Sequence, residues 1–403
     1  MLFGDKILVY RDEILKDLAT LLEIESVDGE RNEECERALA FIIKRAQDFG
    51  LDYKMVTDKS VHVQLGDGGK LCGVLAHVDV VPAGNNWSVI PYALTERDGR
   101  LYGRGIADDK GAALLNLYCL RVLKENGVQG KNTLRAIFGS AEETGMRDMQ
   151  GYFEKMPLPD MAFTPDSDYG ICFAEKGILH LRVSTPTNEA KVLSQFHAGK
   201  AAHACEPEKG KNAAALLIDL ITHAYDLHEI GALASFIHYA LNCETNGRSL
   251  GLKMSDGVSG PLTVNLGVIH IEGHTAEAYF DIRYPVTVSG EKIIAQFRAV
   301  AEYNGMQVEV VHHDKPLCLE KDSPLIRELS AAYESVTGEK PTLYATGGGT
   351  YARKLGGRGV AFGPHFAGDP INMHNADESM DKENFFLHAQ ICLEALYRLY
   401  NVE

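Results

Sequence analysis

The 403-residue chain has no run of lysine and arginine, and its 56 acidic residues outnumber 40 basic ones to leave a formal charge of -16. That balance argues against nucleic acid or an anionic membrane surface as partner, since both demand concentrated positive charge. The acidity itself is that of an ordinary soluble surface. No CxxC pair occurs among the eight cysteines, Cys35, Cys72, Cys119, Cys172, Cys205, Cys243, Cys318 and Cys392. A thiolate zinc site is therefore not expected, and scattered thiols read as reduced and mostly buried. The N-terminal stretch MLFGDKILVYRDEILKDLATLLEIES lacks both the apolar core of a signal peptide and the apolar length of a membrane span, so a cytoplasmic protein is expected. Internal repeats and low-complexity segments are missing as well.

What is present is globular: 45% of residues are hydrophobic and 24% charged. A chain this long exceeds one simple core, which favours two domains or one domain carrying an insertion. Apolar spacing predicts two helices between Leu8 and Phe49. Strands are predicted at HVQLGD, LCGVLAHVDVV, GRLYGRG and TLRAIFGSAEE, with a helix beginning near Asp109. That alternation implies crossover connections and a mostly parallel, twisted sheet. From Ile178 to Pro316 the pattern changes to that of a small α+β unit, after which the α/β style returns. The expected architecture is an α/β domain built from 1–177 and 317–403, interrupted by a smaller α+β lid domain over 178–316.

Against this background, the apolar run GVLAHVDVVPAG carries His77 and Asp79 two residues apart, on one face if the strand continues through them. Asp108 and Asp109 open a helix, Glu142 and Glu143 close a strand, Asp166 follows the short strand AFTP, and His374 lies in the loop NMHNADE. In a parallel sheet the C-terminal strand ends share one edge. Singly, each residue has a plain explanation: a core histidine, a solvated acidic pair, a helix cap. Gathered together, the acidic groups would repel unless cations neutralised them, and carboxylates combined with histidines point to zinc rather than calcium or magnesium. Two metals bridged by a carboxylate fit better than one.

The motifs HVDVVP, GRGIADDKGA, SAEETG, TPDSDYG and NMHNADE, in this order, resemble the di-zinc metallopeptidases grouped with carboxypeptidase G, aminoacylase, acetylornithine deacetylase, carnosinase and dipeptidase V. EKG at Glu175, TGGGTYAR at Thr346 and VAFGP at Val360 resemble the dipeptidase V branch most. The resemblance implies Asp108 as bridging ligand, His77 and Asp166 on one metal, and Glu143 and His374 on the other. It makes Glu142 the general base and Asp79 the partner that orients His77, and it implies a cis peptide between Asp108 and Asp109. Asp168 competes with Asp166 for the ligand role, though spacing from Glu143 favours Asp166. From the lid, His203 in GKAAHACEPEKGKNAA would donate to the oxyanion. Arg283 in FDIRYP, with Gly347, Gly348, Gly349 and Thr350, would hold the substrate's carboxylate.

The implied activity is hydrolysis of unblocked dipeptides by a zinc-dependent dipeptidase, two Zn2+ per subunit activating a bridging water, with Co2+ or Mn2+ as substitutes. An N-acyl amino-acid deacylase or a carnosinase-like enzyme for β-alanyl or histidyl dipeptides is the alternative. The chain departs from the branch in two places. The segment from Ile178 to His203 is short, which points to a homodimer paired through the lids rather than a monomer. Asp377 stands where relatives carry asparagine.

Overall fold

The computed structural model describes residues 2–29, 33–186, 198–200, 202–272 and 274–403. Two compact units emerge. The first comprises Met1–Phe173, Leu319–Tyr344 and Thr350–Glu403; the second comprises Ala174–Cys318 and the short loop Ala345–Gly349. The chain thus crosses at 173/174 and 318/319, a few residues from the expected 177 and 317, and the glycine-rich loop groups with the inserted unit.

The first unit is α/β. Its strands Thr133–Gly139, Leu71–His77, Met161–Thr164 and Gly359–Ala361 lie side by side and pair parallel. Antiparallel partners Ser60–Leu65 and Asp52–Thr57 extend one flank. Cys72 to His77 are all buried, whereas the outermost strand Asp52–Thr57 is mostly exposed. An interior strand covered on both faces needs such an unbroken apolar run; an edge strand does not. Helix Glu33–Asp48 buries Cys35, Ala38, Leu39, Ile42 and Ala46, the spacing of a one-sided stripe. Helix Lys110–Glu125 buries nearly every residue from Lys110 to Leu123, and Lys382–Asn401 is almost as enclosed. Those two helices pack on each other inside the core. Among the described residues no helix is long and apolar enough to cross a membrane.

The second unit is α+β, with a four-stranded antiparallel sheet ordered Thr263–Glu272, Thr275–Tyr284, Gly177–Pro186, Gln307–Asp314. Leu179, Leu181 and Val183 alternate inward along one strand, and Ala276, Ala278, Phe280 and Ile282 along its neighbour. Helices Ala232–Leu241 and Gly290–Tyr303 cover that face. Phe236, Phe280 and Phe297 meet there with ring centroids 5.3–6.3 Å apart, each side chain's burial stabilising the unit by roughly 1.5–3 kcal/mol. The helix over Ala232–Leu241 had no counterpart in the sequence reading. Of the short segment from Ile178 to His203, residues 187–197 and 201 lie outside the described residues.

Candidate metal centre

Three parallel strands end at one edge of the first unit's sheet and carry the chemistry there. The strand Leu71–His77 stops at His77, so Asp79 stands in the following loop. Likewise the strand Thr133–Gly139 stops before Glu142 and Glu143, which occupy a tight turn. Strand alternation therefore does not orient Asp79, as the sequence had suggested; its carboxylate is held by the glutamate turn instead, Oδ1 accepting the N–H of Glu142 at 3.2 Å and Oδ2 that of Glu143 at 3.1 Å. Its main-chain oxygen lies 3.0 Å from His77 Nδ1, closer than its carboxylate at 3.5 Å.

Asp108 joins the groups. His77 Nε2 is 2.9 Å from Asp108 Oδ1 and His374 Nε2 is 2.8 Å from Oδ2; His374 Nε2 is also 3.1 Å from Glu143 Oε1. The Asp108–Asp109 peptide is cis. One donor atom each from His77, Asp108 and Asp166 lies within 4.8 Å of the others, and so do those of Asp108, Glu143 and His374. Asp168 enters neither group.

Electrostatics explains why such a cluster calls for cations. Burial opposes charge on Asp108, but hydrogen bonds from His374 and His77 outweigh it and hold its carboxyl below the usual range. Burial also disfavours a charged His77, yet Asp108 and Asp79 lift it well above its ordinary value. Hydrogen bonds to Asp108 and Glu143 raise His374 to about 10. Burial, then the charge of Asp166, pushes Glu142 well above the carboxylate range. Burial raises Asp109 too, and burial with the Asp108 charge raises Glu143. Desolvated carboxylates that repel one another, interleaved with imidazole nitrogens, are a donor set that fits two borderline divalent ions sharing one bridging carboxylate.

The supporting residues were mostly invisible in the sequence. Glu378 Oε1 accepts the N–H groups of Gly105, Ala107 and Asp108 at 3.0, 2.9 and 3.3 Å. Arg104 donates to the other oxygen at 2.6 Å. Burial pushes Glu378 up to about 7, against the pull of Arg104 and those amides. Asp148 accepts from Ala141 N at 2.7 Å and from the Tyr351 hydroxyl, fixing the start of the Glu142 turn. Asp28 gathers Lys59, Thr144 and Arg147 at its other side. Arg104 and Glu378 do lie inside the quoted motifs, so their place was legible though their purpose was not. Asp377 accepts from Ser88 N at 2.7 Å, at the edge of the cluster.

The remaining expected residues belong to the second unit, apart from Thr350, which caps the turn Tyr351–Leu355. His203 is exposed, its Nδ1 2.8 Å from Cys205 Sγ. Arg283 is 8% exposed and donates Nη1 to the Gly347 carbonyl at 2.9 Å. Gly347 is required by close approach: a Cβ there would fall 2.5 Å from Cys205 Cβ.

A family model described as Peptidase family M20/M25/M40 matches residues 73–398. "Putative dipeptidase YtjP" from Bacillus subtilis (strain 168) is 29% identical over 456 residues, covering 96% of this chain and 97% of that protein. In fold, the chain is similar to the dipeptidase Dug1p of Saccharomyces cerevisiae (TM-score 0.70, 16% identity, 99% and 98% covered). It is also similar to the YXEP protein of Bacillus subtilis, described as a dinuclear metal binding peptidase (TM-score 0.61, 13% identity, 97% and 98% covered).

Proposed function

From the premise that the chain belongs to peptidase family M20/M25/M40 and hydrolyses peptide bonds, we propose that it is a zinc-dependent dipeptidase for unblocked dipeptides. The observation that carries this is the pair of donor groups meeting at Asp108, with Glu142 beside them. His77 and Asp166 would hold one zinc, Glu143 and His374 the other, with Asp108 between them; cobalt or manganese suits the same donors. Bound there, the ions would polarise the scissile carbonyl and acidify a water.

The chain's own groups do the rest. Glu142 takes the proton from the attacking water and hands it to the departing amine. Asp79 keeps Glu142 and Glu143 in register by gripping both of their amides. His203 donates an N–H to the developing oxyanion. Arg283, with Gly347, Gly348, Gly349 and Thr350, receives the free carboxylate of the dipeptide, a task that suits a guanidinium fork. The dipeptidase name of the Bacillus subtilis relative supports the substrate class.

Eight free thiols suit a reducing compartment, the cytoplasm. The lid's outer strand Thr263–Glu272, with Val268 54% exposed, supports pairing of two lids in a homodimer. For the activity, a panel of dipeptides is assayed against N-acetyl amino acids on metal-reconstituted protein. Turnover of unblocked dipeptides, abolished by chelation, is expected. Hydrolysis of blocked substrates alone would replace the dipeptidase reading with a deacylase.

A further inference from the structure

On the strand Thr275–Tyr284, side chains alternate between faces, so Asp281 and Arg283, two positions apart, project together. Across the ladder Asp281 stands opposite His180 and Asn265, and Arg283 opposite Ile178 and Thr263. The two side chains meet edge to edge. Arg283 Nε lies 2.6 Å from Asp281 Oδ1, and Nη2 lies 2.9 Å from Oδ2. Nη1 reaches past this pair to the Gly347 carbonyl at 2.9 Å. Both side chains are well enclosed, 10% exposed for Arg283 and 18% for Asp281.

Those three bonds fix the guanidinium plane and still leave one N–H on each of its two terminal nitrogens. A carboxylate accepts such a pair in fork fashion, with geometric selectivity that a single point charge lacks. A long flexible side chain held on only one side would surrender that selectivity to rotamer freedom. Gly347 alone cannot hold it, because one neutral acceptor leaves the plane free to turn.

We propose that Asp281 is the positioning residue for Arg283, and that through it the enzyme selects substrates ending in a free α-carboxylate. This rests on Arg283 being the carboxylate receptor. Asp281 touches no substrate; it sets the angle at which the guanidinium is presented. His180, 3.3 Å from Asp281 Oδ2, shares the carboxylate from the neighbouring strand.

The test uses metal-loaded full-length protein with alanyl-alanine and its C-terminal amide as substrates. For Asp281→Asn, KM for the free dipeptide is expected to rise about tenfold or more, the loss of one charge-assisted hydrogen bond. Its kcat should stay within about threefold, and KM for the amide should not change. A purely structural role for Asp281 would instead lower turnover of both substrates together, and that result overturns the proposal. So does a KM for the free dipeptide left within about twofold of wild type. Arg283→Met, which removes the cation, separates the two ideas. If it leaves the preference for the free dipeptide over the amide intact, the carboxylate role of Arg283 itself is wrong. If it erases the preference while Asp281→Asn keeps it, only the role of Asp281 is wrong. Should Asp281→Asn not fold, Asp281→Glu keeps the charge but displaces it by one methylene, and the same selective rise in KM is expected.

Discussion

Replacing Arg104 by methionine should loosen the metal cluster from beneath. The Arg104 and Glu378 side chains are each 1% exposed and joined at 2.6 Å. Arg104 also lies over the Trp87 ring, 5.1 Å from its centroid, and Nη2 reaches the Asn375 carbonyl at 3.2 Å and those of Pro82 and Ala83 at 3.4 Å. One guanidinium thereby ties together the loop after His77, the turn leading to Asp108, and the segment bearing His374. Methionine fills similar space without charge, leaving the Glu378 carboxylate buried and unpaired. Breaking such a buried pair costs about 3–5 kcal/mol; the long carbonyl contacts add little to that. Urea unfolding should register this loss in the first unit's transition. The double variant Arg104→Met/Glu378→Gln should recover part of it, because the carboxamide oxygen still accepts the three amides while the stranded charge is gone. A coupling of about 2 kcal/mol or more is expected. A loss under about 1 kcal/mol for Arg104→Met, or strict additivity in the double variant, would refute the claim that this pair is what holds the three segments together.

Other perturbations have equally definite outcomes. Glu142→Gln should retain bound metal by elemental analysis while turnover falls about 10²–10⁴-fold, whereas Asp108→Ala should lose metal from both groups at once. His203→Ala should lower kcat about 10²–10³-fold with KM little altered, as expected for an oxyanion donor. Gly347→Ala forces a Cβ to within 2.5 Å of Cys205 Cβ; KM should rise, and Cys205→Gly should restore it by removing the clash. His62 and His388 are both buried, and burial holds each neutral with a pKa near 3. The unfolded chain takes up protons on these histidines first, so stability is complete above about pH 6.5 and declines as pH falls toward 3. Each contributes up to about 1.4 kcal/mol per pH unit. His388→Asn, which preserves an acceptor for the Tyr169 hydroxyl, should flatten the decline between pH 6 and 4 in urea titrations by that amount. An unchanged slope would rule out His388 as a source of acid lability.

The expected elements and the observed ones agree where local pattern and burial coincide. The continuous apolar run before His77, the helix after Asp109 and the alternating strands of the inserted unit were all legible, because burial on two faces, one stripe or one face each leaves its own period. Agreement failed at the strand ends. VDVV after His77 has strand composition, and the expected strand TLRAIFGSAEE runs on to Glu143, yet both segments lie beyond their strands. Asp79 offers its carboxylate to the amides of Glu142 and Glu143, and that pairing across 63 positions of sequence replaces the ladder. Nothing local to either segment records it. The helix Ala232–Leu241 was not expected, although its buried residues Leu233, Ala234, Phe236, Ile237, Ala240 and Leu241 follow a helical spacing.

The order and chemical character of the donors, the change of style between the two units, and the net acidic charge without a run of basic residues were determined by the sequence alone, because each depends on residue type and spacing. Which oxygen faces which nitrogen was decided only by tertiary structure. Glu378 under the Asp108 turn and Asp148 under the glutamates act through distances of a few ångströms between buried polar atoms. A buried carboxylate must find its donors wherever the fold brings them, and such partners can be hundreds of residues away.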